Sequence, residues 1–407
     1  MNCRHCGTPL EHTFLDLGFA PPSNAYLKPA DLVKPEKYYP LKIKVCTQCW
    51  LVQTEDYAQA DELFSSEYAY FSSTSTGWLA HAASYASDMT KRLGLDASSL
   101  VIEVASNDGY LLKNFVAAGI PCLGIEPTAS TAEAAEALGI PVVREFFGEA
   151  LGAKLASQGQ QADLIAGNNV YAHVPDINDF TSGLRAALKP NGTVTLEFPH
   201  FLQLVLHTQF DTVYHEHFSY LSLYTVQRIF QRAGLRVWHV ETLPTHGGSL
   251  RVFGCHAKDS RATSLSVEAM LREEHTQGLQ DISTYASFQA RADRVKDGLL
   301  TFLIEQKRLH KTVAAYGAAA KGNTLLNYGG VKPDLLSFVC DAATAKQGKF
   351  MPGSHIPILA PSALTEHGPD YVLILPWNIA AEVRAQNAHL AALGTKFVTA
   401  VPQLEIA

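Results

Sequence analysis

The sequence predicts an α/β protein of several units: an N-terminal zinc-binding module, a doubly wound sheet, and a second, smaller Rossmann-like α/β unit. Three observations carry this. Two CxxC pairs, Cys3/Cys6 and Cys46/Cys49, stand close to the N-terminus. From residue 98 onward, short apolar runs alternate with amphipathic stretches, the pattern of a mostly parallel sheet covered by helices. The same alternation returns after residue 312. A chain of 407 residues exceeds one ordinary core, and it divides as 1–80, 81–260 and 261–407.

Hydrophobic residues at 47% against 17% charged residues give a packed, globular chain. The net charge of -7 argues against a general nucleic-acid surface. No apolar run approaches the ~20 residues that cross a bilayer. The start, Met1-Asn-Cys-Arg-His-Cys6, lacks the apolar core of a signal peptide. The expected setting is therefore cytoplasmic, without a membrane or nucleic acid as partner, and a monomer is the simplest expected state.

The first element is the metal module. Four thiolates at tetrahedral corners suit zinc, and such a closed site is structural, so Cys3, Cys6, Cys46 and Cys49 are the expected ligands. His5 and His12 are alternatives to one of the cysteines, and a redox pair is the competing use of CxxC. Cys122, Cys255 and Cys340 sit in apolar contexts as core thiols. The segment 65–76 follows, rich in hydroxyls and aromatics. It reads either as a surface loop or as a lid bringing Tyr68 or Tyr70 over a cleft.

Next come strands at 100–104, 121–125, 141–144, 163–166 and 193–198, with amphipathic helices such as 131–138 and 180–188 between them. Strands at 235–240 and 249–254, joined by the turn His246-Gly-Gly-Ser249, form a closing hairpin with an antiparallel edge. The loop after the first strand, Ala105-Ser-Asn-Asp-Gly109, fails the GxGxxG dinucleotide fingerprint. Glu103 lies in that strand, and Gly109 lets the backbone turn tightly. The second strand ends in Gly-Ile-Glu126-Pro127, which puts a carboxylate where a cofactor ribose is held; the competing role for Glu126 is a helix-start charge. The fourth strand runs into Gly-Asn168-Asn169-Val-Tyr-Ala-His173. Ser106, Asn107, Asp108, Gly109, Glu126, Pro127, Asn168 and Asn169, with Glu103, are the expected cofactor residues.

Asp211-Thr-Val-Tyr-His-Glu-His-Phe-Ser-Tyr220 concentrates proton-transfer chemistry. Tyr214, His215, Glu216 and His217 occupy four consecutive positions, and His and Glu move protons near neutral pH. One plain alternative is a half-exposed strand. Another is a metal site on His215 and His217, against which stands the absence of HExxH spacing.

A helical connector over 264–310 leads to the second α/β unit, with strands at 335–340, 371–375 and 396–401. Its opening, Val313-Ala-Ala-Tyr-Gly-Ala-Ala-Ala-Lys321-Gly-Asn323-Thr324, places glycines and a lysine at a helix start that can receive phosphate. Lys349 lies in a basic turn, 346–353. The alternative is a packing domain with an ordinary glycine-rich turn.

With these residues read, the chain resembles the sugar C-methyltransferases of deoxysugar biosynthesis. The resemblance runs from the CxxC knuckles through VIEVASNDGYLL, GIEPT, GNNVYAHVPD, EFPH, DTVYHEHFSYLS and HGGSLRVF to YGAAAKGNTLLN and GKFMPG. It implies a class I methyltransferase sheet and S-adenosylmethionine as cofactor. The implied substrate is a nucleotide-linked 4-keto-6-deoxysugar (dTDP- or GDP-linked), methylated at carbon 3 or, in some members, carbon 5. By the same resemblance His217 is the base, oriented by Glu216, with Tyr214, His173 and Tyr70 near the reacting centre. Glu126 takes the ribose, and Asp108 and Asn168 lie near the cofactor's amino-acid end. Tyr68, His246, Asn323, Lys321 and Lys349 are the candidates for the sugar nucleotide, the two lysines for its diphosphate. A zinc-ribbon nucleic-acid methyltransferase remains a competing reading.

Overall fold

The computed structural model describes residues 1–55 and 71–407, and three sheets organise these residues. The first is antiparallel, in the order β1-β2-β3-β9, with β1 His12–Ala20, β2 Tyr39–Val45, β3 Val52–Thr54 and β9 Ser219–Tyr220. Its fourth strand comes from the far end of the proton-transfer segment: Val52 pairs with Tyr220 and Gln53 with Ser219. One knuckle precedes β1; the other fills the turn between β2 and β3. The four sulfurs lie within 4.8 Å of one another, with Cys3–Cys49 and Cys6–Cys46 both at 3.5 Å. A tetrahedral zinc with bonds of ~2.3 Å spaces its sulfurs about 3.8 Å apart, so the cluster fits zinc. His5 is turned away, its Nδ1 on the Asn178 amide oxygen at 2.8 Å.

The second sheet has seven strands in the order β10-β11-β8-β7-β4-β5-β6. β4 (Val101–Val104), β5 (Cys122–Ile125), β6 (Val142–Val143), β7 (Ala162–Asn168) and β8 (Leu188–Pro199) are parallel. β11 (Ser249–His256) runs antiparallel to both β8 and β10 (Leu235–Leu243). The expected hairpin is there, and its second strand is the one that joins the parallel core. Strand order reverses at β4, where a doubly wound sheet opens a crevice at its strand ends. The run Val101–Val104 is wholly buried, as a central parallel strand with helices on both faces must be.

The connector is three helices, Leu265–Thr276, Ile282–Ala286 and Phe288–Arg308. They fold back to tie the first two sheets together. Phe288 stacks on Phe14 at 4.5 Å, and Tyr285 stacks on Phe201 at 5.8 Å. The buried Glu274 carboxylate accepts from His200 at 2.7 Å and from the Leu223 and Tyr224 amides, which open the helix Leu223–Ala233.

The third sheet runs β14-β13-β12-β15-β16-β17, from β12 (Val313–Tyr316), β13 (Val339–Cys340), β14 (Ile358–Leu359), β15 (Tyr371–Ile374), β16 (Lys396–Thr399) and β17 (Glu405–Ile406). All pairs are parallel except β16–β17. The glycines expected to approach a phosphate here serve packing. A Cβ on Gly322 would stand 2.8 Å from Leu375, and one on Gly317 (φ +90) would stand 2.4 Å from Pro376. The long loop between β1 and β2 docks on this third unit: Leu27 bridges to Phe350, and Glu36 pairs with His355 at 2.9 Å. No described helix is long and apolar enough to cross a membrane.

Candidate active site

The loop after β4 opens the crevice. Ala105, Asn107 and Gly109 all take positive φ (57°, 49°, 77°), so the chain coils back on itself. Only glycine fits at 109, where a Cβ would meet Ile140 Cδ1 at 2.5 Å and Ala135 at 3.2 Å. Glu126, at the end of β5, accepts from the Asn107 amide at 3.0 Å and the Thr128 amide at 2.9 Å. Its carboxylate thus lies across the loop, and the helix-start contact that competed for it is also made. Pro127 follows, half-buried. Asn107 and Asp108 accept the Ser72 and Ser73 amides at 2.9 and 3.1 Å, which anchors the chain leading in from residue 71.

Several buried polar atoms around this loop have no hydrogen-bond partner among the described residues: Ser106 Oγ, Asp108 Oδ1 and Asn169 Oδ1. Asn168 ends β7 beside Tyr110. Such orphaned donors and acceptors cost free energy unless a ligand meets them, and their mix suits the amino-acid and ribose groups of S-adenosylmethionine. Glu103 is deeper than expected. Burial drives its carboxyl well above the usual range, and it faces the Tyr110 hydroxyl, which makes it a floor under the loop.

The proton-transfer segment is neither strand nor exposed. Phe210–Thr212 form one 3-10 turn, the Tyr214 carbonyl accepts the His217 amide at 3.0 Å, and β9 begins only at Ser219. His217 Nδ1 lies 3.0 Å from the Thr212 carbonyl oxygen, and His173 Nδ1 lies 2.7 Å from the Glu216 carbonyl oxygen. A carbonyl oxygen only accepts, so each Nδ1 carries its proton and each Nε2 keeps its lone pair. The two rings meet edge to face at 4.6 Å, and the Tyr214 ring lies 4.0 Å from His217.

Burial, then the neighbouring His173, holds the His217 imidazolium well below its ordinary range, and burial brings His173 down to about 4. His217 therefore stays neutral below the pH at which an ordinary imidazole is protonated. The Thr212 carbonyl orients the His217 ring. The Glu216 carboxyl, expected to do so, accepts from the Asn24 amide at 3.2 Å, and burial raises it. His215 points to the module, its ring 6.0 Å from Tyr39, so it does not share a metal with His217.

The other units contribute as well. His246, at φ 55, sits edge-on to Trp78 at 5.3 Å, and burial lowers it to about 4. Lys321 Nζ donates to Asn378 at 2.7 Å and lies 4.6 Å over the Trp377 ring. Burial lowers its ammonium, the Asp211 carboxylate opposes this, and its charge is felt at both His217 and His246. Asn323 donates to the Ser23 carbonyl at 2.6 Å, and its buried Oδ1 has no partner among the described residues. The fold thus gathers His217, Tyr214, His173, His246 and Lys321 in one region. Lys349 lies on the loop that meets Leu27, where Lys346 is already engaged with the Ala318 carbonyl at 2.8 Å. Tyr68 and Tyr70 fall outside the described residues.

Sequence reading gave no role to Thr212, Thr324, Trp377 or Asn24; the first two lie inside motifs it singled out, but for other residues. It also missed the buried Glu197, which accepts from Arg251 at 2.7 Å, His81 at 2.9 Å and Thr245 at 3.0 Å. Burial pushes that carboxyl up, but His81 and Arg251 together bring it below its usual value. An acid on β8 opposite a basic residue on β11 was the available signal.

Three family models match in tandem: "Putative zinc binding domain" at residues 3–64, "Methyltransferase domain" at 78–240 and "C-methyltransferase C-terminal domain" at 244–402. Among solved structures, the chain is similar to a magnesium protoporphyrin IX methyltransferase from Synechocystis PCC 6803 (14% identity, 44% of this chain and 80% of that one, TM-score 0.34). It is also similar to the YcgJ protein of Bacillus subtilis (12%, 44% and 99%, TM-score 0.35). Over 401 residues it is 34% identical to the C-methyltransferase NovU of Streptomyces niveus, covering 98% of this chain and 95% of that protein. The chain therefore belongs to the C-methyltransferase family, and is an S-adenosylmethionine-dependent methyltransferase with an N-terminal zinc-binding module.

Proposed function

We propose that this enzyme methylates a ring carbon beside the ketone of a nucleotide-linked 4-keto-6-deoxysugar, at carbon 3, through an enolate. The observation that carries the reading is the tautomer of His217: Nδ1–H is committed to Thr212, which leaves Nε2 bare, and the rings of Tyr214 and His173 pack beside it. A carbon acid next to a carbonyl needs a neutral base and a donor for the developing oxyanion. The ring proton passes to His217 Nε2, and the electron pair of the C–H bond moves into the carbonyl as an enolate. Tyr214, whose ring packs 4.0 Å from that of His217, is the proposed donor. His173 lends a second neutral imidazole, and the family resemblance adds Tyr70 as a further candidate at the reacting centre.

Bound S-adenosylmethionine would supply the electrophilic methyl group that the enolate carbon takes, its sulfonium becoming a neutral thioether. Glu126 receives its ribose, with Glu103 and Gly109 shaping the loop. Ser106, Asn107, Asp108, Pro127, Asn168 and Asn169 line the cofactor crevice. Lys321 and Lys349 hold the sugar's diphosphate (dTDP- or GDP-linked), with Tyr68, His246 and Asn323 around the sugar.

The test separates proton removal from methyl transfer. In deuterated water with the demethylated cofactor and the keto-sugar nucleotide, the wild-type enzyme should exchange the ring proton. His217→Asn should keep both ligands bound and slow exchange roughly 10²–10⁴-fold. Equal exchange rates would remove His217 from the role.

A further inference from the structure

The aim of His217 is set from outside the methyltransferase sheet. Its ring is anchored by the Thr212 carbonyl, and both neighbours of Thr212 are held by the third unit. On one side, the buried Asp211 carboxylate accepts the Trp377 indole N–H at 2.7 Å. On the other, the Thr324 hydroxyl, buried in the helix Ala320–Tyr328, donates to the Val213 carbonyl at 2.8 Å. Within the turn, the Thr212 amide reaches the Gln209 carbonyl and the Val213 amide the Phe210 carbonyl, both at 3.1 Å. The carbonyl that selects the histidine tautomer thus sits in a peptide clamped at both ends by side chains more than a hundred residues downstream.

We propose that Thr324 and Trp377 are positioning residues for His217, so that the C-terminal unit sets the tautomer and direction of the base in addition to binding substrate. This rests on His217 being the base. Without the Thr324 donor, the Val213 carbonyl is a buried acceptor with no partner, and the turn relaxes to satisfy it. The Thr212 carbonyl then swings with the turn, and the imidazole is free to carry its proton on Nε2, the nitrogen that has to be bare.

The full-length, zinc-loaded protein with ¹⁵N-labelled histidine tests this without reference to turnover. Long-range ¹⁵N–¹H correlation should show His217 protonated on Nδ1 in wild type and in Thr324→Ser. In Thr324→Val a mixture of tautomers should appear. In parallel, kcat should fall about tenfold in Thr324→Val, the cost of one buried hydrogen bond, with KM for both substrates within about twofold of wild type. Thr324→Ser should restore kcat. Trp377→Phe removes the other clamp, keeps the ring, and should act in the same direction, so the idea survives misfolding of either variant. Wild-type tautomer and wild-type kcat in Thr324→Val or Trp377→Phe would overturn the proposal. If His217→Asn proves to exchange the sugar proton at the wild-type rate, the base assignment falls instead, and the tautomer measurement still decides whether the clamp exists.

Discussion

In its proposed role, His217 can act as a base only while it is neutral. Burial, His173, His246 and Lys321 all act against its protonation, with only the Thr212 carbonyl favouring it. Lowering the pKa of a base extends its neutral range toward acid, so activity should persist as pH falls through 6.5 and decline only below that. A profile of kcat/KM against pH checks this. An acid limb centred at or above 6.5 that disappears in His217→Asn would contradict it. At the same scale, Glu126→Ala should weaken S-adenosylmethionine binding by about 1–3 kcal/mol in calorimetry, and Glu126→Gln by less. The first leaves the Asn107 and Thr128 amides without an acceptor; the second keeps one. These two residues were legible in the sequence because their chemistry is intrinsic: imidazoles and carboxylates at strand ends. Thr212 and Thr324 were not, since a backbone carbonyl and a hydroxyl signify nothing until the fold brings them to a ring and a turn.

Among the elements, the loop after β4 is the least tolerant of change. Gly109→Ala imposes a left-handed backbone on a residue with a side chain and drives its Cβ toward Ile140 and Ala135. We expect a loss of roughly 1–3 kcal/mol in denaturant unfolding, together with weaker cofactor binding. Gly119, with similar φ and open space around it, should accept alanine at a smaller cost. The strands of the parallel sheet could be read in advance, since buried apolar runs ended by turn residues have few other solutions. The connector was legible as helical but not as three helices, because its breaks, near Gly278 (φ +77) and at Ser287, are matters of local backbone geometry. The first sheet could not be read at all. Its third and fourth strands have only three and two residues, a proline-rich loop parts the first two, and one partner lies in a segment whose chemistry drew attention away from its hydrogen bonding.

Across the whole molecule, the zinc module and the proposed base share a strand ladder. Cys49 precedes β3, β3 pairs with β9, and β9 follows His217 by two residues. Arg4, between the first two cysteines, donates to the Pro175 carbonyl at 2.8 Å, two residues after His173. Replacing Cys46 by serine should therefore lower zinc content, thermal midpoint and sugar-proton exchange together. Metal analysis, calorimetry and the exchange assay report on each. A zinc-free protein with unchanged midpoint and exchange would sever the connection.

The borrowed strand β9 also has a bearing on biosynthesis. The N-terminal residues leave the ribosome first, yet their sheet cannot be completed until residue 220 has emerged, and their long loop has no dock until residue 355 has followed. Contacts of such sequence separation form late and slow folding. Until then β3, whose Val52, Gln53 and Thr54 are all buried in the finished protein, is an open strand edge, a template for pairing with the wrong chain. The nascent protein is thus most exposed to aggregation midway through its own translation, and a rapid early capture of zinc by the four thiols would be its first protection.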